Sequence, residues 1–167
     1  TDAYPEQSES LFVHAETRGK EFGTIAVPRK NKPGHLVEIT TFRLETEYKA
    51  ARYPKKIIFV SDLKEDLTRR DFTINALAYD PDKKVLIDLF DGQKDLGKKI
   101  IRTIGDPKRR FSEDSLRILR AVRFASQLGF EIEKTSFAVI KEIGPNFKLP
   151  SRKRIKQEIN KIFKSDE

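Results

Sequence analysis

The chain of 167 residues contains no cysteine, which excludes disulfides, zinc–thiolate sites and thiol nucleophiles. Its two histidines, His14 and His35, are too few and too isolated to make a metal site of their own. No apolar run approaches the ~18 residues that a membrane span needs, and no signal peptide is visible. The chain therefore reads as cytoplasmic, with no membrane partner. Methionine is missing too, even from the first position, so Thr1 is expected to be a processed start or, better, the cut end of something longer.

What the chain has in quantity is charge. It carries 34 Lys+Arg against 26 Asp+Glu, a formal +8. Residues 1–100 hold 18 basic and 17 acidic side chains, net +1, whereas residues 101–167 hold 16 and 9, net +7. A near-neutral first part joined to a basic second part points to a polyanionic partner for the second. A well-solvated helical surface is the alternative. The length suffices for one good core or two small subdomains.

Residues 1–105 alternate short strand and helix signals, an α+β pattern. Pro5 suits a first helical turn closed by Leu11-Phe12-Val13, and Gly19 and Gly23 bracket a turn. Thr24–Val27 and Leu36–Arg43 read as partner strands around a turn at 29–35. Residues 45–56 read as a charged, mobile loop, followed by a short strand at Ile57–Val60. An acidic lead-in at Asp62–Asp66 then enters a predicted helix containing Arg69–Tyr79. Val85–Leu89 and Ile100–Ile104 are the remaining strand candidates. From 106 onward only helices are expected. One long helix is predicted from an N-cap at Ser112 to Leu128, with Gly129 beyond its end. Two more follow, at Lys134–Ile143 and from a cap at Ser151.

Two clusters carry chemistry. Arg69-Arg70-Asp71 places adjacent guanidiniums beside a carboxylate, immediately before apolar residues. Either the arginines are solvated and Asp71 caps a helix, or they face a polyanion with Asp71 orienting them or a metal-bound substrate. The second cluster is Glu113-Asp114 with Arg117, Arg120 and Arg123. At about 100° per residue, Ile118, Leu119, Ala121, Val122, Ala125 and Leu128 fall in one arc and the arginines in the opposite one. An ordinary amphipathic helix with ion pairs would look the same. A carboxylate beside a guanidinium has, however, a specific use. The carboxylate accepts from an exocyclic amine while the guanidinium donates to the neighbouring ring nitrogen. Cytosine and adenine present that pair on their Watson–Crick edges; guanine and uracil present a carbonyl and an N–H instead. An Asp114/Arg117 pair would thus suit C and A, and the remaining arginines could neutralise a triphosphate.

These residues resemble a known family, the class II tRNA nucleotidyltransferases (CCA-adding enzymes) and their bacterial poly(A) polymerase relatives. Arg69–Ala76 matches the RRDFTINA motif, Asp88–Leu96 the linking D-x-x-x-G…DL motif, and Glu113-Asp114 with the three arginines the EDxxR motif. Glu38–Arg43 is similar to the family's strand, and Ser151–Lys161 to its following basic helix, with Lys153 where Glu is usual. The resemblance implies a partial nucleotidyltransferase head, polymerase β-like with a small mixed sheet, over residues 1–105. An all-α neck that recognises nucleotide and RNA would follow over 106–167. It further implies template-independent transfer from CTP or ATP to the 3′ end of tRNA or another RNA, with Mg²⁺ held by an Asp-x-Asp pair. Carried over, Arg70, Asp114, Arg117, Arg120 and Arg123 bind the nucleotide, and Asp71 near the ribose or metals is the candidate catalytic carboxylate. Glu113, Asn75 and Glu38 support them.

No metal ligand is assigned, because the family's Gly-Gly-x-x-Arg-Asp loop and Asp-x-Asp pair belong upstream of the stretch that Thr1–Glu6 resembles. The expectation is that this chain alone binds without catalysing, or complements a fragment bearing the Asp-x-Asp strand. A poly(A) polymerase shares all three motifs, although Gly19–Thr24 looks more like the CCA enzymes' G-x-x-x-G-T turn. CC-adding or A-adding specialists are compatible as well, as is a non-catalytic RNA- or nucleotide-binding module whose arginines hold phosphate only.

Overall fold

The computed structural model describes residues 1–32, 34–49, 53–144 and 149–163. It divides into two compact units, Thr1–Glu47 with Pro54–Arg69, and Tyr48–Tyr53 with Arg70–Glu167. The division falls inside the RRD motif, with Arg69 in the first unit and Arg70 in the second.

The first unit opens with α1 (Pro5–Ser10), whose Pro stands where a free N–H is not needed. Strands β1 (Glu16–Gly19), β2 (Thr24–Pro28) and β3 (Leu36–Thr40) form an antiparallel sheet in the order β1-β2-β3. β2 and β3 run from Thr24 opposite Thr40 to Pro28 opposite Leu36, so Ile25 pairs with Ile39 and is fully buried. A 3-10 turn, Lys20–Phe22, ends at Gly23 in the left-handed conformation, where an added Cβ would lie 2.7 Å from the Phe59 ring. The charged stretch expected as a loop is instead a two-stranded sheet, β4 (Arg43–Lys49) with β5 (Tyr53–Phe59). In Arg43-Leu-Glu-Thr-Glu-Tyr-Lys49 charge recurs at every second residue, which is the period of a strand. The centre of that expected loop, residues 50–52, lies outside the described residues.

Helix α2 (Leu63–Thr68) is capped by Asp62, which accepts from Lys64 N at 2.8 Å. The helix predicted across Arg69–Tyr79 does not form. The chain turns at Asp71, makes a 3-10 turn over Thr73–Asn75, and pairs β6 (Leu77–Asp80) with β7 (Val85–Asp88) as a hairpin. Asp71, Thr73 and Asn75 explain the difference, since short polar side chains offer backbone groups an alternative to helical bonds. Asp71 Oδ1 accepts from Phe72 N at 2.9 Å, and Thr73 Oγ1 donates to the buried Asp95 at 2.8 Å.

The D-x-x-x-G…DL stretch is structural. Asp88 accepts from the backbone N–H groups of Phe90, Gly92 and Gln93 and so starts α3 (Gly92–Gly97). Burial pushes the Asp88 carboxyl up, but those three donors outweigh it and hold the group below its ordinary range. Asp95 takes Thr73 and the Arg102 Nε. β8 (Ile100–Ile101) pairs in parallel with β9 (Glu131–Ile132), short of the Ile100–Ile104 strand predicted.

The helix predicted from Ser112 starts later, as α5 (Leu116–Leu128); Ser112 lies instead inside α4 (Pro107–Glu113), and the two helices are separated where Asp114 is extended at φ −144°. Asp114 Oδ1 accepts from Leu116 N at 3.0 Å. Aspartate is worth more at a helix start than in an interior, so the break falls there rather than at Ser112. α6 (Lys134–Ile143) and α7 (Arg152–Phe163) complete the unit. Its core joins Phe72, Ile101 and Ala121, with Phe124, Phe130, Ile132 and Ile140 packed around them.

Gly92 is the most closely approached glycine of this unit: an added Cβ would lie 2.5 Å from the Thr73 carbonyl oxygen. Gly92→Ala is expected to destabilise by about 1–3 kcal/mol, read from urea denaturation; an unchanged midpoint would refute the close approach.

Candidate functional site

The sequence clusters meet within the second unit. Asp71, from the turn before the 3-10 segment, is buried and directs Oδ2 at α5, where Arg120 Nε and Nη2 both approach to 2.6 Å. Its Oδ1 accepts from Asn75 Nδ2 at 2.9 Å as well as from Phe72 N. Arg70 Nη1 donates to the Asn75 carbonyl at 3.1 Å. The Arg120 guanidinium lies 5.4 Å from the Phe124 ring centroid and that of Arg123 4.1 Å from the same ring, both within cation–π range. Phe124 meets Phe72 edge to face at 5.8 Å. The stacking platform is thereby tied to the core.

The arginines are ion-paired, but the apolar arc read from the helical wheel is only partly the buried face. Arg117 and Arg123 are buried, at 8% and 11% side-chain exposure, whereas Val122 and Leu128 of the expected core arc are exposed. Burial is tolerated because each guanidinium meets a carboxylate. Arg117 Nη1 donates to Glu113 Oε2 at 2.6 Å and to the Arg110 carbonyl at 2.9 Å. Arg123 Nε sits 2.7 Å from Glu158 Oε2, in charge contact without a well-aimed N–H. Arg120 is the most accessible of the three, at 31%.

Asp114 takes its guanidinium from an unexpected source. Arg154 of α7 forks onto it, Nη1 to Oδ1 at 3.0 Å and Nη2 to Oδ2 at 2.7 Å. The same helix supplies Glu158 to Arg123, and its Lys161 carbonyl accepts from Gln127 Nε2 at 2.9 Å. Sequence reasoning missed Arg154 and Glu158. Their spacing is that of the neighbouring apolar stripe Ile155, Ile159 and Ile162, and an i, i+4 charge pair on a basic helix is ordinarily a solvated one. Glu38 belongs to the first unit, exposed on β3 opposite Ala26. Arg69 also belongs to the first unit, bound to the buried Asp66 at 2.7 Å and to Glu45 at 3.0 Å.

Residues 1–102 match the poly A polymerase head domain. The CCA-adding enzyme of Leuconostoc citreum is 46% identical over 163 residues, 98% of this chain and 40% of that protein. The crystal structure of the Bacillus stearothermophilus CCA-adding enzyme in complex with CTP superposes with a TM-score of 0.84 at 37% identity, covering 96% of this chain and 38% of that one. The Thermotoga maritima CCA-adding enzyme complexed with tRNA gives 0.70 at 32%, covering 95% and 35%. The chain belongs to the family of class II tRNA nucleotidyltransferases and bacterial poly(A) polymerases. It spans about two fifths of the length of those relatives.

Glu113 links the arginines to stability. Burial pushes its carboxyl up, but the Arg117 hydrogen bond and the charge and hydrogen bond of Arg110 outweigh that and hold it below its ordinary value of 4.5. A depressed folded value means stability that is present above the unfolded value and lost as pH falls through the folded one. Glu113→Gln is therefore expected to be less stable than the wild type at neutral pH and to lose less on acidification between about pH 5 and pH 3. Urea midpoints against pH check this; parallel curves would refute it.

Proposed function

We propose that the chain forms the nucleotide-selecting part of a template-independent RNA 3′-end nucleotidyltransferase that adds C and A to tRNA from CTP and ATP. The observation that carries the reading is the Asp71–Arg120 contact at 2.6 Å, which joins the RRD turn to the EDxxR helix. Asp114 stands in the break just before α5, where its carbonyl accepts from Arg117 N at 3.0 Å, and Arg117 lies in the first turn of the helix that makes that contact. In this reading Asp114 and Arg117 face the Watson–Crick edge of the incoming base. Arg70, Arg120 and Arg123 take its sugar and phosphates, Asp71 stands on the ribose side, and Glu113 and Asn75 hold Arg117 and Asp71 in place. The named relatives are CCA-adding enzymes, which favours this over poly(A) synthesis.

Two Mg²⁺ ions in one site need several carboxylate oxygens together. Both Asp71 oxygens are engaged by Arg120, Asn75 and Phe72, and among the described residues no three His, Cys, Asp or Glu converge. These side chains do not fit a two-metal centre, so no catalytic step is assigned through the metals. The 167-residue polypeptide by itself is proposed to bind nucleotide without transferring it, and a polypeptide bearing an Asp-x-Asp strand would complement it.

Binding of CTP, ATP, GTP and UTP to the chain tests the reading, with preference for CTP and ATP expected. A base-blind, strongly salt-dependent profile would leave a phosphate-binding module instead. Asp114→Ala should abolish the preference, whereas Arg120→Ala should weaken all four nucleotides by about tenfold alike. Nucleotide incorporation into tRNA by this polypeptide alone, with Mg²⁺ and CTP, would refute the division of labour.

A further inference from the structure

The hydrogen bonds around Asp114 determine how many more it can accept. A carboxylate offers about four acceptor positions, two on each oxygen. Oδ1 accepts from Leu116 N at 3.0 Å and from Arg154 Nη1 at 3.0 Å, and is full. Oδ2 accepts from Arg154 Nη2 at 2.7 Å, and among the described residues nothing else donates to it. One acceptor position is left, on one oxygen.

That count matters for which base can pair. Rejection of guanine by a carboxylate beside a guanidinium requires the carboxylate to stay in the register of an exocyclic amine. Guanine also presents two adjacent donors, N1–H and the N2 amine, and an unencumbered carboxylate can shift to take both, one on each oxygen, with charge-assisted strength. Cytosine and adenine ask for one acceptor only. Uracil offers a single N–H between two carbonyls, which repel the second oxygen.

We propose that Arg154 is a specificity-determining positioning residue. Its fork, together with Leu116 N, fills Oδ1 and leaves Asp114 a single acceptor. The pocket thus admits cytosine and adenine and denies guanine the two-oxygen contact. The fork is itself held. α7 is anchored to α5 at Glu158–Arg123, 2.7 Å, and at Gln127–Lys161, 2.9 Å, so Arg154 approaches Asp114 from a fixed helix. A bidentate guanidinium also stops the carboxylate rotating, which a single ammonium would not do.

The inference rests on the reading that Asp114 faces the base, and its test separates the two. Affinities of the chain for CTP, ATP, GTP and UTP are measured at one salt concentration for wild type, Arg154→Ala, Arg154→Lys, Asp114→Ala and the Asp114→Ala/Arg154→Ala double variant. Arg154→Ala is expected to raise the GTP-to-CTP affinity ratio by about 10- to 100-fold. Arg154→Lys, which keeps a charge against Asp114, should give an intermediate rise and carries the test if Arg154→Ala does not fold. In the Asp114→Ala background, removing Arg154 should leave the ratio unchanged. Equal weakening of all four nucleotides with an unaltered ratio would mean that Arg154 only holds the fold, and would overturn the inference while leaving the nucleotide reading intact. A wild type that does not distinguish bases would overturn both.

Discussion

The second unit depends on one buried carboxylate. Asp71 accepts a hydrogen bond from its own turn, one from Asn75 and a guanidinium from α5, so a single side chain sets the end of one motif and the orientation of another. Without it, Arg120 would lose the partner that holds it over Phe124, and the turn would lose the bond that closes it. The low dielectric around a buried group makes such a contact strong when satisfied and costly when broken. It is also why Phe72, the next residue, can enter the core directly.

The same principle extends along α5. A helix with three arginines at Arg117, Arg120 and Arg123 would ordinarily turn them to water. Here Glu113, Asp71 and Glu158 each take one. The arginines are arranged by pairing rather than by solvation, which fixes their geometry before any ligand arrives. Under the proposed function, a triphosphate would meet preorganised donors instead of flexible chains, which lowers the ordering cost of binding.

Much of the fold was legible from local signals. Pro5, Gly23 and Gly129 mark element ends as read, at the first turn of α1, at the left-handed end of the 3-10 turn and at the left-handed end of α5. The two helix errors share one cause. The Arg69–Tyr79 and Ser112–Leu128 segments carry helical hydrophobic spacing, yet aspartates interrupt both with side-chain bonds to nearby N–H groups. Residues 43–49 alternate charge with other side chains, the period of a strand, although their overall charge is that of a solvated loop.

By itself the sequence determined which chemical groups are present and in what local order: a carboxylate beside guanidiniums twice over, basic residues gathered after 101, and no thiol chemistry. Those are properties of composition and short spacing. Only the tertiary structure decided which carboxylate meets which arginine. Arg154 reaches Asp114 across 40 residues and Arg120 reaches Asp71 across 49, and no local periodicity encodes such separations. The packing of Phe72, Ile101 and Ala121 brings the Asp71 turn to α5, and the contacts of Glu158 with Arg123 and of Gln127 with the Lys161 carbonyl bring α7 to the same helix.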